Sequence, residues 1–141
     1  MRHRLRSRSF VAPFIALVVA LAFLACAGSI RDNVRKGALL AGETVLTIDQ
    51  EESALYATGA YGVEKHKEIG GTILTAMRAV QVYVRAARAW PENMVMPDTV
   101  IEAMLTAVRA ITAVEHIIEG VPGNAKLLAA LHRIRAQIGG E

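Results

Sequence analysis

The side chains that could perform acid–base or metal chemistry are few in this chain and lie far apart in the sequence. Beyond residue 25, histidines occur at His66, His116 and His132, and none has a second ligand three or four residues away in a metal-binding pattern. The sequence contains no Gly-x-Ser-x-Gly turn, no phosphate loop and no His-Glu-x-x-His helix. We interpret the adjacent acids Glu51 and Glu52 as a solvated turn. The sequence therefore predicts no catalytic residue and no metal site, and we expect neither enzyme activity nor a cofactor.

Three arginines form a basic stripe on one predicted helix. Arg78, Arg85 and Arg88 recur at helical spacing, on the side away from the apolar residues Ile73 and Val80. No acid within the stripe balances them, so neighbouring charges repel each other weakly. The stripe is either a plain solvated face or a contact for acids of a neighbouring helix, for anionic headgroups or for another protein. An anionic membrane surface would attract each cation by about 1 kcal/mol.

A second unusual feature is the apolar run Met94-Val95-Met96, which lies between two prolines in a connection that ought to be polar. Thioether sulfur suits Cu(I), but no further Met, His or Cys accompanies this pair, so metal binding is not predicted. Two interpretations stay open. The loop folds back over the bundle end beside Trp90, or it exposes Met94 and Met96 to a partner or a membrane.

The only cysteine, Cys26, follows a basic leader and a long apolar run. Phe10 to Ala27 is an uncharged stretch of 18 residues. The basic residues before it are Arg2, Arg4, Arg6 and Arg8. This arrangement resembles the processing signal of bacterial lipoproteins, in which the cysteine thiol receives a diacylglyceryl group and becomes the first residue of the mature chain. The resemblance implies lipidation at Cys26, although Phe23 stands where this class usually has leucine. If the run were not cleaved, it would be just long enough to span a bilayer as an anchor.

Either outcome predicts that residues 30–141 lie outside the cytoplasm and stay attached to a membrane. Ala27, in place of aspartate after the cysteine, resembles the outer-membrane sorting pattern of cells with two membranes. Without the four leader arginines, the chain has 12 Lys and Arg against 13 Asp and Glu. Because nucleic-acid binding needs a concentrated basic face, a nearly neutral domain is a poor candidate for it. With no second cysteine, the domain must fold by packing alone.

Helical periodicity dominates the rest of the chain. Apolar residues recur at alternating steps of four and three, as in packed helices, and predict helices over 64–90, 98–119 and 125–138. Asp98 is the predicted cap of the second of these. No segment alternates with period two. We therefore predict an all-α domain, a small antiparallel bundle of three long helices and one short helix.

The stretch from residue 30 to residue 61 is harder to interpret. It keeps the same apolar repeat, but Glu52 falls on the apolar seam and Thr47 begins a pattern that resembles a capping box. The prediction is a long helix that is broken or kinked near Thr47 and closes at Gly59. Small residues such as Gly37 and Gly70 would allow close helix packing within the bundle, or self-association into a homo-oligomer.

The predicted organisation is a signal peptide or membrane anchor over 1–25, a lipidated tether over 26–32 and a helical bundle over 33–141. We expect a small lipoprotein that acts as a structural or interaction protein for an unknown partner at the cell envelope. Accessory proteins of phages and mobile elements share this general form, although that comparison is an analogy. The alternative is a module that binds a lipid or small apolar ligand between its helices, through a pocket that opens near Trp90 and Met94.

Overall fold

The computed structural model describes the backbone of residues 11–139 and the side chains of residues 30–139. The described backbone forms four helices and contains no strand. The helices are α1 (Val11–Ala57), α2 (Val63–Ala89), α3 (Asp98–Ile118) and α4 (Ala125–Gly139). The predicted all-α class is confirmed, with three long helices and a short α4 of 15 residues.

The helices pack in a ring in which each one contacts two neighbours. Helix α1 contacts α2 and α4, and α3 contacts the same two helices from the other side. The guanidinium of Arg35 on α1 reaches the last turn of α2, whereas Glu52, farther along α1, reaches His66 in the first turn of α2. These contacts show that α1 and α2 are antiparallel, as expected for helices joined by a short loop.

The apolar seams predicted for α2, α3 and α4 form the core of the bundle. Because the seam recurs with the helical period, these residues lie on one face of each helix and are removed from water together. Met104, which the four-and-three repeat places on the seam of α3, is only half-buried, and Ala103 beside it is buried. In these three helices the larger fully buried side chains are Tyr83, Ile69 and Ile73 of α2, Ile111 and Ile118 of α3, and Leu127, Leu131 and Ile134 of α4.

The predicted break in the first helix is wrong, because α1 runs without interruption through Thr47 to Ala57. The Thr47 hydroxyl donates to the Thr44 carbonyl one turn earlier, so it bonds within the helix and does not cap a new one. Core residues also keep their spacing across this point, with Val45 and Ile48 both fully buried. The helix ends where expected, since Gly59 follows it with a positive φ of 76°.

Residues 30–32, the end of the predicted tether, already belong to α1. Cys26 and the leader residues 1–10 lie outside the residues whose side chains the structure describes. Within residues 30–139, where side chains are described, none of the helical segments has the length and apolar character needed to span a bilayer.

Gly37 marks a close approach of α1 to α4. A Cβ atom at this position would collide with the backbone carbonyl oxygen of Gln137. By contrast, nothing lies within 4 Å of a Cβ built on Gly70 or Gly71 of α2. Internal packing therefore explains Gly37, and nothing within the described bundle explains the two glycines of α2.

Helix α3 begins differently from the prediction. Pro97 is the N-cap residue, and its carbonyl accepts hydrogen bonds from the amides of Val100 and Ile101. Asp98 is thus the first helical residue and makes no capping hydrogen bond. Its carboxylate still lies in the first turn, where the helix dipole favours negative charge.

Candidate functional site

An open groove with a volume of about 510 Å³ lies between α1 and α2. Two leucines on α1 leave much of their apolar surface in water, with Leu39 41% exposed and Leu46 56% exposed. Both lie off the apolar seam of α1, so the bundle core does not bury them. We call this surface the α1–α2 groove. It is lined by Leu39, Gly42, Glu43, Leu46, Gln81, Val84, Arg85 and Arg88.

The predicted basic stripe is divided between two surfaces. Arg85 and Arg88 line the α1–α2 groove, whereas Arg78 lines a separate groove between α2 and α3 that also contains Glu102. None of the three arginines forms an ion pair with another residue in the described part of the chain. The α1–α2 groove therefore combines exposed leucines with two unpaired cations.

A hydrogen bond holds the Met-Val-Met loop at Met94, and the central residue of the loop is exposed. The indole nitrogen of Trp90, a buried residue, donates to the Met94 carbonyl at 3.0 Å. Met96 packs partly against the core, while Met94 is 52% exposed and Val95 is 85% exposed. Met96 thus covers the bundle end, whereas Met94 and Val95 face solvent, and contact of this loop with a partner or a membrane stays a prediction.

Arg35 closes the C-terminal end of α2, a role that spacing along the sequence did not reveal. Its Nε donates to the Ala87 carbonyl at 3.0 Å, and its Nη2 donates to the carbonyls of Arg88 at 2.7 Å and Trp90 at 2.8 Å. These carbonyls lack partners within α2 and carry the negative end of its dipole, so a cation suits them. The bond to Trp90 also holds the start of the Met-Val-Met loop against α1.

Glu52 contradicts the predicted solvated turn, because its side chain is buried with only 1% of its surface exposed. The Tyr61 hydroxyl donates to Glu52 Oε1 at 2.7 Å, and His66 Nδ1 lies 2.8 Å from the same oxygen. Tyr56 stacks on the His66 ring with a centroid distance of 4.0 Å. We call Glu52, Tyr56, Tyr61 and His66 the hairpin cluster, because they join α1 to the start of α2. Glu51 faces another groove, beside α4.

The hairpin cluster holds a proton on Tyr61. Burial raises the pKa of the Tyr61 hydroxyl above its ordinary range, and the hydrogen bond to Glu52 together with the charge of that carboxylate raises it further. The phenol therefore stays a donor. Glu52 also orients the imidazole of His66, as carboxylates orient histidines in many sites. In the described part of the chain, however, no three His, Cys, Asp or Glu side chains converge in a way that could hold a metal ion.

His116 and His132 lie at the surface beside acids. His132 Nε2 is 3.7 Å from Glu115 Oε1, and His116 Nδ1 is 3.7 Å from Glu119 Oε2. Arg135 binds the other oxygen of Glu115 at 2.8 Å and links α4 to α3. These contacts connect neighbouring helices or successive turns.

Sequence reasoning found Arg85 and Arg88 but missed the leucines opposite them. Leu39 and Leu46 are seven residues apart, so they lie on the same side of α1, and neither belongs to its apolar seam. A second apolar stripe of this kind on one helix is the signal that could have located the groove.

Comparison of the chain with protein-family models, with curated protein sequences and with solved structures found no match.

Proposed function

We propose that this chain is a membrane-tethered lipoprotein of the cell envelope whose helical bundle binds a partner protein through the α1–α2 groove. The groove is the observation that supports a binding role, since it places exposed leucines beside arginines that lack an ion-pair partner. Apolar surface at the centre with charge at the rim is typical of protein interfaces, in which arginine is enriched. The resemblance of the leader and Cys26 to a lipoprotein signal supports the tether.

The chemistry of the groove indicates the kind of partner. Leu39 and Leu46 offer apolar surface over about two helical turns, roughly 10 Å, with Glu43 between them. Arg85 and Arg88 supply positive charge on the opposite wall. An amphipathic helix with an apolar stripe and adjacent acidic residues would fit both walls, as in other helix-in-groove complexes.

The proposal is tested by photo-crosslinking in native envelopes, with a benzophenone amino acid introduced into the full-length protein. Position Leu46 should give a discrete adduct with a partner protein. The control is Leu105 on α3, which is 44% exposed and lies outside the groove, and it should give no such adduct. Reversing the charges with Arg85→Glu and Arg88→Glu should abolish the adduct while the helical circular-dichroism signal persists.

Two results would overturn this assignment of the groove. One is an absence of any adduct at Leu46, and the other is an adduct that survives the charge reversal. An adduct of twice the mass of the chain would instead identify the groove as a homodimer interface.

A second candidate function is supported by another groove, of about 340 Å³, at the end of the bundle. It is lined largely by apolar side chains, among them Val34, Met96, Met104 and Ile138, and its size is at the lower limit for small-molecule sites. A lipid or other apolar molecule could bind there. Native mass spectrometry of the purified protein tests this candidate, because a bound ligand would appear as a defined mass increment that Met104→Trp should remove.

A further inference from the structure

Three exposed apolar residues lie at one end of the bundle. Ile30 near the start of the described part of α1 is 51% exposed, and Met94 and Val95 belong to the loop between α2 and α3. We call Ile30, Met94 and Val95 the bundle tip. Arg31 Nη2, next to Ile30, lies 3.3 Å from Glu92 Oε1, which places the loop beside α1 at this end.

The loop of the bundle tip is held in place by hydrogen bonds. Trp90 donates to the Met94 carbonyl at 3.0 Å, and Arg35 binds the Trp90 carbonyl at 2.8 Å. Asn93 completes the turn with a positive φ of 62°. Because Met96 already covers the core, Met94 and Val95 stay in water although their backbone is fixed.

The residues that precede Ile30 along the chain, among them Cys26, join the bundle at this same end. Cys26 precedes Ile30 by four residues, a distance of about 6 Å along a helix. The uncharged run from Phe10 to Ala27 therefore lies on the chain immediately before the tip. We propose that the bundle tip inserts into the interfacial region of the lipid bilayer to which the lipid on Cys26 tethers the chain. This inference rests on the proposed membrane tether.

The charges around the bundle tip indicate how it would insert. Arg31 is paired with both Asp32 and Glu92, so this cation is already balanced within the protein. Apolar contact with the acyl chains then drives insertion, and anionic headgroups are not required. Insertion would orient the bundle, leaving the distal hairpin cluster away from the membrane.

The experiment uses the full-length protein reconstituted in phosphatidylcholine vesicles that contain a phospholipid with a nitroxide at a shallow acyl position. Val95→Trp places a fluorophore in the bundle tip, and Leu46→Trp places a matched one in the α1–α2 groove. Both variants keep the buried Trp90. We expect the nitroxide to quench the added emission of Val95→Trp and to leave that of Leu46→Trp unquenched. Adding phosphatidylglycerol should not change this difference.

Different results would contradict the membrane tether and the insertion of the bundle tip. If the wild-type protein does not float with vesicles, the tether is wrong and the insertion proposal falls with it. If the protein floats but Val95→Trp is quenched no more than Leu46→Trp, the tether stands and the insertion proposal is overturned. Met94→Trp provides a second probe in the same loop and should give the same result as Val95→Trp.

Discussion

Glu52 occupies a position that the helical repeat of α1 assigns to an apolar side chain. Burial of a carboxylate is costly unless hydrogen bonds replace its water. Here Tyr61 and His66 supply those bonds to Oε1, and Tyr56 shields the imidazole by stacking on it. The buried acid therefore fixes the angle and register of the α1–α2 hairpin.

Replacing Glu52 with alanine tests this role. Glu52→Ala leaves two donors without their acceptor and removes a buried side chain, so we expect a loss of about 1–3 kcal/mol in the free energy of unfolding. Thermal unfolding of the full-length protein in detergent, followed by circular dichroism, measures the change. The adjacent Glu51→Ala serves as the control and should cost no more than about 0.5 kcal/mol. Equal effects of the two substitutions would contradict the role of Glu52.

The raised pKa of Tyr61 predicts a loss of stability in alkali. The folded state holds the phenolic proton more tightly than the unfolded chain does, whose tyrosine pKa is the ordinary 10.0. This contribution is therefore fully present below pH 10 and is lost as the pH rises above that value. Tyr61→Phe should make the fall of the melting temperature above pH 10 shallower than in the wild type. An unchanged pH profile would show that Tyr61 does not supply this dependence.

At the residue scale, the sequence showed an acid among apolar residues but did not show which side chains bind it. Glu52 was visible as an acid on an apolar seam. Its partners Tyr61 and His66 lie beyond the end of α1, and only the packing of α1 against α2 brings them to the carboxylate. Spacing along one helix cannot show such a contact, so a solvated turn was predicted instead.

The distance between α1 and its neighbours α2 and α4 differs from one glycine to the next. Gly37 lets the α1 backbone meet the α4 backbone at Gln137. Gly42 lies near α2, where a Cβ atom would come within 3.1 Å of a methyl group of the Val84 side chain. Gly71 on α2 has open space beside it. Three helical glycines thus have three different packing environments.

Substitution of each glycine by alanine should change the stability in a way that depends on its packing environment. Gly37→Ala should lower the free energy of unfolding by about 1–3 kcal/mol, because backbone atoms of α4 cannot yield to the added methyl group. Gly71→Ala should raise the stability by up to about 1 kcal/mol through helix propensity alone. Chemical denaturation of the full-length variants measures both values. A stabilising Gly37→Ala would contradict the close approach of α1 to α4.

At the element scale, helices could be predicted because burial imposes a local period on the sequence. Helix α2 was expected over 64–90 and forms over Val63–Ala89. The false break at Thr47 arose because a capping pattern is also local, whereas the continuity of α1 depends on Val45 and Ile48 packing against other helices. The cap that Arg35 provides for α2 was invisible for the same reason, since its carbonyl partners lie more than 50 residues away.

At the scale of the whole molecule, we propose different tasks for different surfaces. In this proposal the bundle tip faces the membrane, the α1–α2 groove on the flank binds a partner, and the hairpin cluster stabilises the far end. The resemblance of the leader and Cys26 to a processing signal is visible in the sequence because such a signal is itself linear. The groove could not, because it exists only where exposed residues of two helices face each other.

The central claim is that a lipid attached to Cys26 holds the bundle at the membrane. Intact-mass spectrometry of the full-length gene product, extracted from the membranes of a bacterium that expresses it, tests this claim directly. The account predicts a chain that begins at Cys26 and carries the added mass of a diacylglyceryl group. A chain that begins at Met1 with an unmodified thiol would contradict it.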